Sequence, residues 1–177
     1  MARLLRQIAA GEALVTAALF EQPGNNPLEA GTSASSRDGQ WLLNGEKHHV
    51  PAAGLASYCW CLAHIDGEAA VFLMELDQPG VTSLPRVTTA GEIEAQLTLV
   101  EAKAELLARG SQAEAFVQLA VDASMAGSNA VALGLCEEMI RLATTYTSER
   151  QQFGRPIATF QAVAHRLADC HIDTECL

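Results

Sequence analysis

The apolar positions change their period once along this chain. In the first hundred residues they fall in short β-prone runs separated by turn residues, and from Ser111 onward they recur at helical spacing. Residues 13–20, ALVTAALF, read as a buried strand that the turn-forming EQPGNNP closes. Asp38-Gly39 predicts a hairpin, Asn44-Gly45 a second turn, and Asp66-Gly67 a hairpin joining strands at 56–65 and 69–76. Residues 81–88 and 93–100 add two strands, with breaks at Pro79-Gly80 and Ala90-Gly91. Short strands at this regular spacing predict an antiparallel β barrel or sandwich over residues 12–104, with 101–110 as the transition out of it. Ahead of it, Leu4, Leu5 and Ile8 stand at helical spacing in residues 1–11, which read as the remnant of a preceding helical region.

Between residues 111 and 148 Phe116, Leu119, Ala120, Met125, Val131, Leu135, Met139, Leu142 and Ala143 lie close to one helical face. Ala123, Ala126, Gly127, Ala130 and Gly134 allow close approach of a neighbouring helix. Such a helix is expected to be buried on most sides, either in the chain's own core or in an oligomeric bundle. The fold class is therefore α+β, an antiparallel β domain followed by the first helices of an up-down bundle at 105–177.

Residues 148–169, SERQQFGRPIATFQAVAHRLAD, interrupt the helical pattern. The long helix is expected to end near Arg150, a corner at Gly154, Arg155 and Pro156 to break it, and a second helix to begin near Thr159 as its N-cap. The loop presents Arg150, Gln152 and Arg155. A planar guanidinium makes two parallel charge-assisted hydrogen bonds to phosphate oxygens, so a pyrophosphate suits this loop. A helical hairpin with solvated arginines satisfies the same pattern.

Charge narrows the partners. A formal net charge of -10 and a pI of about 4.8 exclude a nucleic-acid backbone. No apolar run is expected to reach the roughly 20 residues that span a bilayer, residues 1–11 lack a secretory pattern, and a cytoplasmic protein is expected. The five cysteines, Cys59, Cys61, Cys136, Cys170 and Cys176, lack paired C-x-x-C spacing and read as reduced core fillers. His48 and His49 are neighbours on a predicted strand, where they face opposite sides and cannot share a metal.

RQQFGRPI followed by FQAVAHRLAD resembles the start of the C-terminal helical domain of the acyl-CoA dehydrogenase family of flavoenzymes. The resemblance implies FAD as cofactor, with the arginine corner reaching the FAD of a neighbouring protomer: Arg150 on the pyrophosphate, Gln152, Phe153 and Ile157 around the adenosine half, and Gln161 beside them. It also places the flavin ring at the end of the first strand, with Phe20 and Glu21 beside it. There the chain keeps Pro23 and Gly24 of the family's threonine-glutamate-proline-glycine series but has Glu21, Gln22, Asn25, Asn26 and Pro27 at the neighbouring places. A carboxylate at Glu21 aimed at the ring would disfavour an anionic reduced flavin. LNGEKHHV resembles the family's glycine-x-lysine strand, with His49 where an aromatic residue packs on the flavin.

The family's chemistry needs a glutamate to remove the α proton of an acyl-CoA thioester. In most members that glutamate lies beyond the corresponding point, and in others it falls near Ser124, which is no base. The sequence thus reads as a fragment of an acyl-CoA dehydrogenase, inactive alone, whose partners are an acyl-CoA substrate, a homo- or hetero-oligomer (dimer or tetramer) and an electron-transfer flavoprotein. The alternative is a non-catalytic subunit that lends Arg150 to a neighbour's FAD.

Overall fold

Three two-residue turns with both central residues at positive φ set the corners of the chain: Asp38 (52°) and Gly39 (78°), Asp66 (51°) and Gly67 (85°), and Phe153 (52°) and Gly154 (75°). This backbone matches the right-handed twist of paired strands, so each corner closes a hairpin. The computed structural model describes residues 2–21, 26–29 and 31–177. The chain divides into two units, Met1–Leu119 and Ala120–Leu177.

The first unit is α+β. Helix α1 (Ala2–Ala9) precedes β1 (Val15–Ala18), β2 (Ser33–Arg37), β3 (Gln40–Pro51), β4 (Tyr58–Ile65), β5 (Glu68–Glu75), β6 (Val81–Val87) and β7 (Ile93–Arg109). Among the described residues the pairings close a ring, β4–β2–β3–β7–β5 and back to β4. Strand β1 adds parallel to β4, and β6 adds antiparallel to β7. The expected barrel is therefore present and mostly antiparallel, with a parallel β2–β4 contact in the ring and β1 as a parallel addition.

Strand β7 corrects one boundary. Residues 101–110 are not a transition: the strand runs to Arg109 and the following helix starts at Ser111. Ala102 and Ala104 point into the core while Lys103 and Glu105 face out. Alanine has weak strand propensity, which hides this alternation in the sequence. The second correction concerns Asn44 and Gly45, which lie inside β3 at an irregularity in its pairing with β7. There Asn44 Oδ1 accepts the N–H of Glu101 at 2.9 Å, and Glu101 itself sits at φ 52°. Gly45 has φ 153°, and a Cβ on it would stand 2.5 Å from Thr32 Oγ1 and 2.8 Å from Thr32 Cα. Glycine is required here because two strands touch.

The barrel interior is filled by Leu43, Val50, Phe72, Met74, Leu97 and Leu99 with Cys59 and Cys61, all essentially without solvent contact. Trp41 meets Phe72 edge to face, with centroids 5.7 Å apart. Burial pushes the Cys61 thiol up to about 11, which keeps it protonated and inert. Cys136, Cys170 and Cys176 differ from this expectation: the first is half-buried and the other two are exposed.

Helix α2 (Ser111–Glu149) buries only Ala113 and Val117 among its described residues, and Phe116 packs edge to face on Trp60 at 4.9 Å. Its predicted apolar face exists but is open within the chain, with Leu119 69% and Val131 64% exposed. By length and composition alone α2 also meets the requirement for crossing a membrane, which corrects the expectation that no run does. In the second unit α2 leads into a hairpin of β8 (Gln151–Gln152) and β9 (Arg155–Pro156), a 3-10 turn (Ile157–Thr159) and α3 (Gln161–Glu175). Thr159 is not the helix cap. Its hydroxyl donates to Pro156 O at 2.7 Å, and Phe160 precedes the helix without a side-chain capping bond.

Candidate functional site

The hairpin at the end of α2 is built by short-range forces. Arg150 N–H donates to Tyr146 O at 2.8 Å, which finishes the helix, and Arg150 O accepts from Ile157 N–H at 2.8 Å, which fixes the base of the turn. Gln151 faces Pro156 and Gln152 faces Arg155 across two residue pairs. The turn puts Phe153 at the tip, 93% exposed. Gly154 has open space around it, so its role is conformational: it holds φ 75° without strain.

The two arginines of the corner are held differently. The Arg155 guanidinium lies 4.2 Å from the centre of the Phe160 ring, a cation-π contact, and Phe160 also meets Phe153 edge to face at 6.2 Å. Arg150 is exposed, and among the described residues no acidic side chain forms an ion pair with it. Gln152 is exposed beside it, Ile157 is half-buried at the hairpin's foot, and Gln161 is exposed in the first turn of α3. An open guanidinium, an amide and an uncapped helix start on one short stretch can bind an anionic diphosphate. These residues fit the half of FAD that the resemblance assigns to them.

In the first unit, the end of β1 carries a buried charge cluster. The Glu21 carboxylate accepts from Lys47 Nζ at 2.8 Å, from Thr32 N–H at 2.8 Å, from Thr32 Oγ1 at 2.5 Å and from Gly31 N–H at 2.5 Å. The Lys47 side chain has no solvent exposure. Burial alone would raise the Glu21 pKa, but the hydrogen bonds from Lys47, Thr32 and Gly31 outweigh it and bring the carboxyl down to about 2. Glu21 therefore does not aim a free charge outward; it is turned onto Thr32 and Lys47.

Phe20, 37% exposed, accepts the His48 N–H on its carbonyl at 2.8 Å. His49 takes φ 52° where β3 slips against β7, so the strict alternation expected of His48 and His49 does not hold. Its exposed ring bonds Glu94 through Nδ1 at 2.9 Å. A cavity of about 640 Å³ opens beside these strands, lined by Glu21, Glu29, Gly31, Thr32, Gly45, Glu46 and His48. Gln22, Pro23, Gly24 and Asn25 lie outside the described residues, while Asn26 Oδ1 accepts from Leu28 N–H at 3.1 Å.

Sequence reasoning carried Lys47 only as the lysine of the glycine-x-lysine resemblance and missed its burial and its pairing with Glu21. A lysine inside β3 reads as an outward residue, and its partner Glu21 lies 26 positions away. The one available signal was a lysine at an inward position of the strand's alternation. Ser124, at the place of the alternative base, donates its hydroxyl to Ala120 O at 2.8 Å and is an ordinary helical serine.

Residues 123–177 match the family model described as acyl-CoA dehydrogenase, C-terminal domain. The acyl-CoA dehydrogenase FadE27 of Mycobacterium tuberculosis is 32% identical over 166 residues, which cover 93% of this chain and 43% of that protein. The glutaryl-CoA dehydrogenase of Mycobacterium smegmatis, solved in complex with FADH2, superposes with a TM-score of 0.88 at 25% identity over 98% of this chain and 46% of that one. The ChsE4-ChsE5 complex from Mycobacterium tuberculosis gives 0.81 at 29% identity, over 96% of this chain and 45% of that one. The chain spans about half the length of the relatives it matches. With a β barrel of this topology, the arginine hairpin after its long helix and these similarities, the chain belongs to the acyl-CoA dehydrogenase family, whose C-terminal domain residues 123–177 match.

Proposed function

We propose that these residues serve a FAD-dependent acyl-CoA dehydrogenase, in which the β8–β9 hairpin grips the cofactor's diphosphate on an adjoining subunit. The observation that carries this reading is the exposed Arg150 guanidinium, in no ion pair among the described residues, beside Gln152 and Phe153 on a fixed turn. Bound FAD would supply the hydride acceptor for α,β-dehydrogenation of an acyl-CoA thioester. Arg150 would hold its pyrophosphate, Gln152, Phe153, Ile157 and Gln161 its adenosine half, and Phe20 and His49 would border the ring. Glu21 acts from behind that border, through the strands it ties together.

The apolar face of α2 then packs in a helical bundle shared between subunits, a dimer or tetramer, rather than in a bilayer. Glu137, Glu138 and Arg141 within α2 favour this, because charged groups are costly in hydrocarbon. We place the protein in the cytoplasm, with an electron-transfer flavoprotein as electron acceptor. Ser124, at the place where some members of the family carry the base, is no base.

A second reading has specific support. A subunit that lends Arg150 but does no chemistry would also tolerate the replaced loop after Phe20, a His49 tied to Glu94 and a serine at position 124. Similarity to the ChsE4-ChsE5 complex fits a heteromeric arrangement of this kind. Purification of the protein with any co-purifying subunit, followed by flavin absorbance and enoyl-CoA formation from a saturated acyl-CoA, tests both. Bound FAD with turnover by this subunit alone supports the first reading, and turnover only with a second kind of subunit supports the other. No flavin in either preparation contradicts both, and turnover by the isolated 177 residues contradicts the expectation that they are inactive alone.

A further inference from the structure

Three segments distant in sequence meet at one carboxylate. Glu21 ends the β1 exit, Gly31 and Thr32 lead into β2, and Lys47 belongs to β3. Nothing in a strand-to-loop turn requires a buried lysine, and isolated buried ammonium groups are costly enough to be avoided. Here Glu21 compensates that charge and also accepts three bonds from Gly31 and Thr32, so its oxygens are saturated. One residue from each partner of the pair sits a second tie, the His48 N–H to Phe20 O bond at 2.8 Å. The cluster and the backbone tie together fix the β1 exit against β3, next to Phe20 and His49. The close approach of Gly45 to Thr32 locks the same crossing sterically.

We propose that Glu21, with Lys47 as its internal counter-ion, is a positioning residue that registers the β1 exit against β3 and so sets the placement of Phe20 and the His49 bulge. Its consequence for cofactor affinity rests on the FAD reading above; the registration itself does not. The pair acts through the strands and touches neither substrate nor cofactor. A pair that served stability alone would be replaceable by any neutral pair that restores the fold.

The test uses the charge-balanced double variant Glu21→Gln/Lys47→Met in the purified protein. Three quantities are measured: the melting temperature, FAD affinity by flavin titration, and hydrogen exchange at the His48 amide. Positioning predicts that the double variant regains most of the melting temperature lost by Glu21→Gln alone, while FAD binds about tenfold or more weakly and the His48 amide exchanges faster. Wild-type FAD affinity and His48 protection in the double variant would overturn the proposal and leave the FAD reading intact. If the unsubstituted protein binds no FAD, that reading fails instead, and His48 exchange alone decides: faster exchange supports the registration and unchanged exchange overturns it. Should the double variant fail to fold, Thr32→Val, which keeps the ion pair and removes one bond to Glu21, is judged by the same exchange criterion.

Discussion

The β barrel and the helices after it handle apolar and charged groups in opposite ways. The barrel hides its large side chains and compensates its one buried lysine within a few ångströms. Helix α2 instead leaves Leu119, Met125, Val131, Leu135 and Met139 uncovered by its own chain. Burial of apolar surface is the dominant favourable term in folding and in most association, so an uncovered face of this size marks where packing comes from other elements. The difference teaches that the two regions place their information differently: the barrel's is internal, and the helices carry theirs on an open face.

The comparison breaks first if the barrel's charge cluster proves dispensable. Glu21→Gln leaves the fully buried Lys47 ammonium without its counter-ion, and denaturant unfolding should lose about 3–5 kcal/mol; a loss under about 1 kcal/mol would contradict the cluster's role. The same group sets a pH dependence. Its folded pKa of about 2 lies below the ordinary 4.5, so its contribution is present above pH 4.5 and is lost as pH falls from there toward 2. An acid titration of stability should show this limb in the natural protein and a flatter one in Glu21→Gln.

Next in size is Gly45→Ala. Its methyl would meet Thr32 backbone at 2.8 Å from a backbone angle that side chains rarely adopt, at a cost of about 2–3 kcal/mol in melting experiments. A neutral result would mean that β3 and the Thr32 segment separate easily.

Much of this was legible in the sequence, and what was not has physical causes. The Asp-Gly turns fixed two hairpins because few other dipeptides accept two positive φ values in succession. The Phe153-Gly154 turn was read only as a corner, since Phe at positive φ is uncommon and pattern gives no warning of it. The end of β7 was read nine residues early because Ala102 and Ala104 carry no strand signal, and Asn44-Gly45 was read as a turn because a bulge uses the same residues. The exposed corner residues Arg150, Gln152 and Phe153 stood out as a local motif. The Glu21–Lys47 pair did not, since a contact across 26 positions leaves no trace in a periodic pattern. Likewise, periodicity identified the apolar face of α2 but could not say what covers it.

Smaller effects sharpen the contrast within the second unit. Arg155→Met removes the cation-π contact to Phe160 and should lower stability by about 1 kcal/mol while speeding amide exchange at Ile157. Smallest for folding is Leu135→Gln on the open face, which should change unfolding free energy by less than about 0.5 kcal/mol. Sedimentation of the same variant should nevertheless show weaker self- or partner association. Unchanged association would mean that this face is not where helices meet.

The most direct measurement is a flavin titration of the purified protein beside its Arg150→Ala variant, with circular dichroism to verify that both are folded. The account predicts saturable FAD binding that weakens by about tenfold to a hundredfold in the variant, the loss of one charge-assisted phosphate contact. Identical titration curves for the two proteins, or saturable binding in neither, would contradict it.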